Sequence, residues 1–188
     1  LQVDKYGDVW CITYDGKAFR FDKRMEAFTE VTANGAEKDL VITSILPLDN
    51  GTVWLLTDKN GGIRVVPDRK TGTLASKVYL STASKEKGTA IKTVFLDKKN
   101  REWLLTKDGL LCIEGNNGKQ TPFFVNTHPE SGRPNQSFFS AAFVNGHVYF
   151  TSNKGRVWKY SLKDETFELK DLGLQDDVIS IRELSEGK

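Results

Sequence analysis

The eight residues Asn50-Gly51-Thr52-Val53-Trp54-Leu55-Leu56-Thr57 decide how this chain folds. Asn-Gly tolerates the positive φ of a tight hairpin turn, so one strand ends before it and another begins after it. The run Val53-Trp54-Leu55-Leu56 is apolar at every position. A strand covered on one face alternates apolar and polar residues; a strand covered on both faces does not. The reading is a short strand in a sheet packed between two neighbouring sheets.

The same phrase recurs in phase. It returns as Tyr6-Gly7-Asp8-Val9-Trp10-Cys11-Ile12-Thr13, as Lys99-Asn100-Arg101-Glu102-Trp103-Leu104-Leu105-Thr106, and as Asn145-Gly146-His147-Val148-Tyr149-Phe150-Thr151-Ser152. The anchors Trp10, Trp54, Trp103 and Tyr149 are spaced by 44, 49 and 46 residues. Three residues before them stand Gly7, Gly51, Asn100 and Gly146; three after stand Thr13, Thr57, Thr106 and Ser152. Six or seven residues after them stand Gly16, Gly61, Gly109 and Gly155, which supply a second turn. A period in the mid-forties built from short strands is the mark of a β-propeller, each unit being one four-stranded blade.

The fold class is therefore all-β: antiparallel four-stranded propeller blades in about four repeats, near 1–40, 41–90, 91–137 and 138–177, with the first strand of a fifth at 178–188. In the second unit the strands fall near 42–48, 52–57, 62–66 and 76–80. The third unit opens at 91–96 and the fourth at 138–143. The best helical signal, at 23–29, reads equally well as a connecting loop. Recurrence at one strand position assigns the anchor aromatics to packing between sheets, where truncation to Ala costs about 3–5 kcal/mol. The array begins and ends out of phase with whole blades. That favours an open arc of a larger ring, a seven-bladed one, whose remaining blades would be its partners. Open strand edges tend to pair with another chain, so a homodimer is a further expectation.

The second unit carries a more specific pattern: Ile42-Thr43-Ser44-Ile45-Leu46, Asp49-Asn50-Gly51-Thr52-Val53-Trp54, Thr57, and Gly61-Gly62-Ile63-Arg64-Val65. Val178-Ile179-Ser180-Ile181-Arg182-Glu183 looks like the opening of another such repeat. The pattern resembles two-component regulator propeller repeats, which form the periplasmic sensor region of hybrid histidine kinase/response-regulator proteins of the Bacteroides type. The resemblance implies a periplasmic location and a parent membrane protein with a cytoplasmic histidine kinase. It also implies an oligosaccharide ligand and control of polysaccharide-utilisation genes.

Composition narrows the chemistry. A net charge of +2 with both signs interspersed gives no clustered basic face for nucleic acid. No apolar run approaches the length of a spanning helix. Two cysteines, Cys11 and Cys112, sit in apolar runs and read as buried small hydrophobes, with no disulfide scaffold. No catalytic constellation, metal set or cofactor motif stands out, and the expectation is a non-catalytic segment without a cofactor. Asp58-Lys59-Asn60-Gly61-Gly62 lacks the further carboxylates of a calcium loop and reads as a turn. His147, beside a hairpin turn, reads as an exposed strand residue.

Candidate ligand contacts fall on the long inter-blade connections 81–90 and 126–137, because binding residues concentrate on loops held by a rigid scaffold. His128, Arg133, Asn135 and Gln136 could bond a sugar's hydroxyls or an acidic group. Two alternatives stand beside the sensor reading. A propeller glycoside hydrolase or lyase needs two acids converging on one pocket, whereas Asp15, Asp49, Asp58 and Asp108 sit in turns. A protein-docking propeller of the WD-repeat kind needs an exposed apolar patch.

Overall fold

Turn chemistry sets the strand boundaries. Gly7, Gly51, Asn100 and Gly146 all adopt left-handed backbone, with φ of 83, 90, 57 and 80°. In the first three units the turn also closes through two backbone hydrogen bonds, such as Gly7 N–H to Asp4 O and Asp4 N–H to Asp8 O, both at 3.0 Å. The anchor-plus-three hydroxyls hold the second turn: Thr57 Oγ1 donates to Gly61 O at 3.0 Å, and Thr13 Oγ1 accepts from Lys17 N–H at 3.1 Å.

The computed structural model describes residues 1–32, 40–57, 61–79, 90–106, 109–114, 119–123, 138–152, 155–164, 166–178, 180 and 181. Their strands form four antiparallel four-stranded sheets, each in sequential order. The first is β1 (Gln2–Val3), β2 (Val9–Ile12), β3 (Ala18–Asp22) and β4 (Ala27–Glu30); the second is β5 (Ile42–Pro47), β6 (Val53–Thr57), β7 (Gly62–Pro67) and β8 (Leu74–Tyr79). The third is β9 (Ile91–Leu96), β10 (Glu102–Thr106), β11 (Gly109–Glu114) and β12 (Lys119–Phe123); the fourth is β13 (Phe138–Val144), β14 (His147–Ser152), β15 (Arg156–Ser161) and β16 (Thr166–Asp171). The chain forms two compact units, Leu1–Ile91 and Lys92–Lys188.

In the first unit, Trp10, Ile12 and Ala18 of the first sheet pack on Ile42, Ile45, Val53, Leu55, Ile63 and Val65 of the second. In the second unit, Trp103, Leu105 and Cys112 pack on Phe138, Val148, Phe150, Trp158 and Tyr160. Trp10, Trp54 and Trp103 are fully buried, as their recurrence requires.

Three expectations change. All of β6 and β10 is buried, but β2 is covered on its Trp10 face, while Val9 and Cys11 on the other face are half-buried. Cys11 is thus a half-buried free thiol, whereas Cys112 is buried and free. Phe19 and Phe21 share the Val9 face by register, and the Phe21 ring packs, tilted by 49°, with its centroid 4.9 Å from that of Phe28, which is 68% exposed. Tyr149 is half-buried, because it lies on the face of β14 opposite to Val148 and Phe150. The large buried indole of that sheet is Trp158 on β15, whose Nε1–H donates to Ser152 Oγ at 3.2 Å. Segment 23–29 is neither helix nor loop throughout: it is a turn running into β4, and Glu26 takes a φ of 50° in it. Of 178–188, residues 178, 180 and 181 are described and are not in strands; Ile181 N–H donates to Ser140 Oγ of β13 at 3.4 Å.

Candidate functional site

In the first unit the hairpin turns carry a buried ionic network. Asp4, six residues ahead of Trp10, accepts the Tyr6 and Asp8 amides on Oδ1 and the Trp10 indole N–H on Oδ2 at 2.9 Å. Strand β3 places Arg20 directly opposite Trp10. The Arg20 side chain is fully buried and donates to Asp8 Oδ2 through Nε at 2.9 Å and Nη2 at 2.7 Å. It also donates to Asp22 Oδ2 at 2.7 Å and to the Gly72 carbonyl at 3.2 Å.

Arg69, from the turn after β7, pairs with the same Asp8 oxygen. Burial favours the neutral acid at Asp8, but hydrogen bonds from Arg20, the Lys23 amide and Arg69 outweigh it and hold its pKa below the usual range. Burial alone would lower the Arg69 pKa; pairing with Asp8 reverses that and raises it. The Tyr6 ring packs beneath two cations, Arg69 at 4.6 Å and Lys5 at 4.9 Å. Lys5 Nζ in turn donates to Asp49 O at 2.8 Å. Asp8 and Asp22 are bonded to Arg20, and Asp8 also to Arg69, which suits a clamp between sheets.

The matching place in the second unit differs. Asp97 repeats the role of Asp4: it accepts the Lys99 and Arg101 amides and, on Oδ2, the Trp103 indole N–H at 3.1 Å and Arg101 Nε at 2.7 Å. Burial opposes ionisation of Asp97, and these bonds, led by that from Trp103, overcome it and lower its pKa. Beside it opens a pocket of about 380 Å³ lined by Asp97, Lys98, Lys99, Arg101, Phe143, Gly146, Leu162 and Lys163. Three turns build it: β9–β10, β13–β14 and β15–β16.

A smaller pocket of about 190 Å³ lies over the fourth sheet, lined by His147, Lys159, Ser161, Asp164, Thr166 and Glu168. Its acids are engaged: Ser161 Oγ donates to Asp164 at 2.9 Å, and Glu168 pairs with Lys159 at 3.7 Å and with Lys170. The bond from Lys170 and its charge lower the Glu168 pKa. His147 is half-buried rather than exposed, its Nδ1 lying 3.0 Å from Asn145 O.

His128, Arg133, Asn135 and Gln136 lie outside the described residues, as do 81–89, 126–137 and 58–60. Among the described residues no group of His, Cys, Asp or Glu could hold a metal ion. The sequence reading missed both turn-end sites, although two signals were present. An aspartate precedes Trp10 and Trp103 by six residues, and an arginine interrupts the apolar runs Phe19-Arg20-Phe21 and Ile63-Arg64-Val65.

No family model matches the sequence, and no curated protein does. Solved structures do match. The extracellular domain of BT4673 from B. thetaiotaomicron, described as a hybrid two-component system, superposes with a TM-score of 0.64 at 16% identity, over 94% of this chain and 24% of that one. Virginiamycin B lyase from Staphylococcus aureus gives 0.61 at 18% identity, over 91% of this chain and 54% of that one. The β-propeller domain of Cps50 (Swd1) from Myceliophteria thermophila gives 0.64 at 11%, over 96% and 57%.

The fold is that of β-propeller blades. Identities this low carry the fold and nothing finer. The chain spans about half the length of the lyase and of the Cps50 domain, and about a quarter of the BT4673 domain. A lyase, an extracellular domain of a two-component system and the Cps50 domain therefore share this propeller architecture.

Proposed function

We propose that this chain is a non-catalytic, extracytoplasmic ligand-sensing propeller segment of a hybrid two-component protein. One observation carries the reading: the repeat pattern of Ile42–Val65 resembles two-component regulator propeller repeats, and the fold shared with the BT4673 extracellular domain over 94% of the chain agrees with it. The chemistry of the sites supports it. The carboxylates that line the two pockets, Asp97, Asp164 and Glu168, are each held by hydroxyl, indole or cationic partners. A hydrolase or lyase needs a pair of acids held for proton transfer across one bond. On this reading the ligand is an oligosaccharide, the location is the periplasm, and the output is transcription of polysaccharide-utilisation genes. The remaining propeller blades of the parent are the structural partners.

The test is to delete the gene encoding the full parent and grow the cells on a panel of polysaccharides. Loss of induction of polysaccharide-utilisation genes on one glycan, restored by complementation, supports the sensor. The other arm incubates the purified chain with the oligosaccharides of that glycan and follows their mass. Cleavage, or unchanged induction on every glycan, overturns the reading.

A further inference from the structure

The two units solve one geometric problem in opposite ways. Counting back from the anchor, Lys5 and Lys98 are equivalent, as are Tyr6 and Lys99, and Asp8 and Arg101. Gly51 and Gly146 are equivalent in the sheets that face them.

In the first unit the wedge between sheets is filled from within. Tyr6, itself 43% exposed, lays its ring over Gly51, where a Cβ would stand 2.8 Å from the Tyr6 hydroxyl. Its cations are answered by buried acid, since Asp8 receives both Arg20 and Arg69.

In the second unit the aromatic ring is replaced by Lys99, and a Cβ at Gly146 would meet nothing within 4 Å. The residue in the place of Asp8 is the cation Arg101. Lys98, Lys99 and Lys163 converge there on a cavity of about 380 Å³ with Phe143 and Leu162 in its wall. Among the described residues of the lining, Asp97 is the one carboxylate, and it already accepts Arg101 and Trp103. Neighbouring Asp164 is turned onto Ser161.

From this reversal we infer that the pocket binds an external oxyanion: a small molecule whose carboxylate or sulfate ester answers the lysines as the Asp8 carboxylate answers Arg20 and Arg69 in the first unit, with its carbon skeleton against Phe143 and Leu162. Lysine ammonium groups bind such oxyanions as point charges and need no fixed plane. The inference does not depend on the sensor reading, because it rests on the pocket alone.

The experiment is an amide-resolved NMR titration of the chain with inorganic sulfate, with a sulfated monosaccharide and with a uronic acid, at low and physiological ionic strength. Saturable shifts at Gly146 and Leu162 are expected, weakening with salt. The arm that saturates at the lower concentration identifies carboxylate or sulfate ester as the recognised group. Each of Lys98→Gln, Lys99→Gln and Lys163→Gln should weaken binding roughly ten-fold, the worth of one charged hydrogen bond. Lys99→Tyr should abolish binding by refilling the wedge, with an unchanged Tm. The triple variant Lys17→Gln, Lys70→Gln, Lys77→Gln removes three charges elsewhere, more than any one of these, and should bind as the parent does. Loss of binding equal in both sets, or the absence of saturable shifts in all three arms, overturns the inference.

Discussion

Replacing Arg20 by Met tests whether the buried network is a clamp between sheets. Arg20 makes four hydrogen bonds, two of them to Asp8 and one each to Asp22 and the Gly72 carbonyl. Met fills much of the same volume but leaves two carboxylates buried without their main partner. Removing one partner of a buried ion pair costs about 3–5 kcal/mol. Asp8 keeps Arg69 and the Lys23 amide, and Asp22 keeps the Arg24 and Met25 amides. The expectation is therefore the lower end, about 3 kcal/mol.

Urea denaturation followed by tryptophan fluorescence reads it out, with Trp10 directly opposite residue 20. With a slope of roughly 2 kcal/mol/M, the midpoint falls by about 1.5 M. The pH dependence supplies a second check. In the parent, folding lowers the Asp8 pKa, so its contribution is present above the unfolded value and is lost as pH falls through the folded one. In Arg20→Met the uncompensated acid binds a proton more readily when folded. The gap between variant and parent should then narrow as pH falls. A loss under about 1 kcal/mol at neutral pH, or a gap that does not change with pH, would refute the clamp.

Three further predictions follow from the same geometry. Trp103→Ala should destabilise by about 3–5 kcal/mol in thermal unfolding, and half-buried Tyr149→Ala by clearly less. Gly51→Ala should cost more than Gly146→Ala by calorimetry. Both positions need positive φ, worth roughly 1–2 kcal/mol for a non-glycine residue, but only at Gly51 does the added Cβ strike a neighbour. Asp97→Ala should lower stability by about 2–3 kcal/mol through lost charged hydrogen bonds. The corresponding contribution in the parent should fade in acid as pH drops through the lowered Asp97 pKa, measurable as a converging pair of urea midpoints.

The blades were legible because their signals are local. Turn glycines, the hydroxyl after each second strand and the unalternating apolar run each act within a few residues, and β9 begins and ends where the pattern of Ile91–Leu96 puts it. The sites were less legible because they depend on sequence separation. Arg69 reaches Asp8 across 61 residues, and Gly72 reaches Arg20 across 52. No local pattern announces such a meeting. The helical hint at 23–29 failed for a related reason: pairing of β4 with Phe19–Asp22 outweighs a weak local preference. Tyr149 kept the phase of the anchors, yet a position in the repeat does not determine what covers the residue.

The aspartate six residues ahead of the tryptophan has a consequence for how such a chain changes over time. One carboxylate ties the turn and the indole together, so the geometry of a unit rests on a few atoms. The second sheet reaches the same turn without it. Leu48 stands in that place, Gly51 N–H donates to Leu48 O at 2.9 Å, and Thr52 N–H donates to Asn50 Oδ1 at 3.0 Å. Two chemically unlike solutions thus give one backbone path within a single polypeptide. Residue identities can drift from one solution to the other while the path persists, and a profile that scores identities blurs them together. Backbones then superpose over more than 90% of the chain at 11–18% identity, where sequence comparison has nothing left to hold.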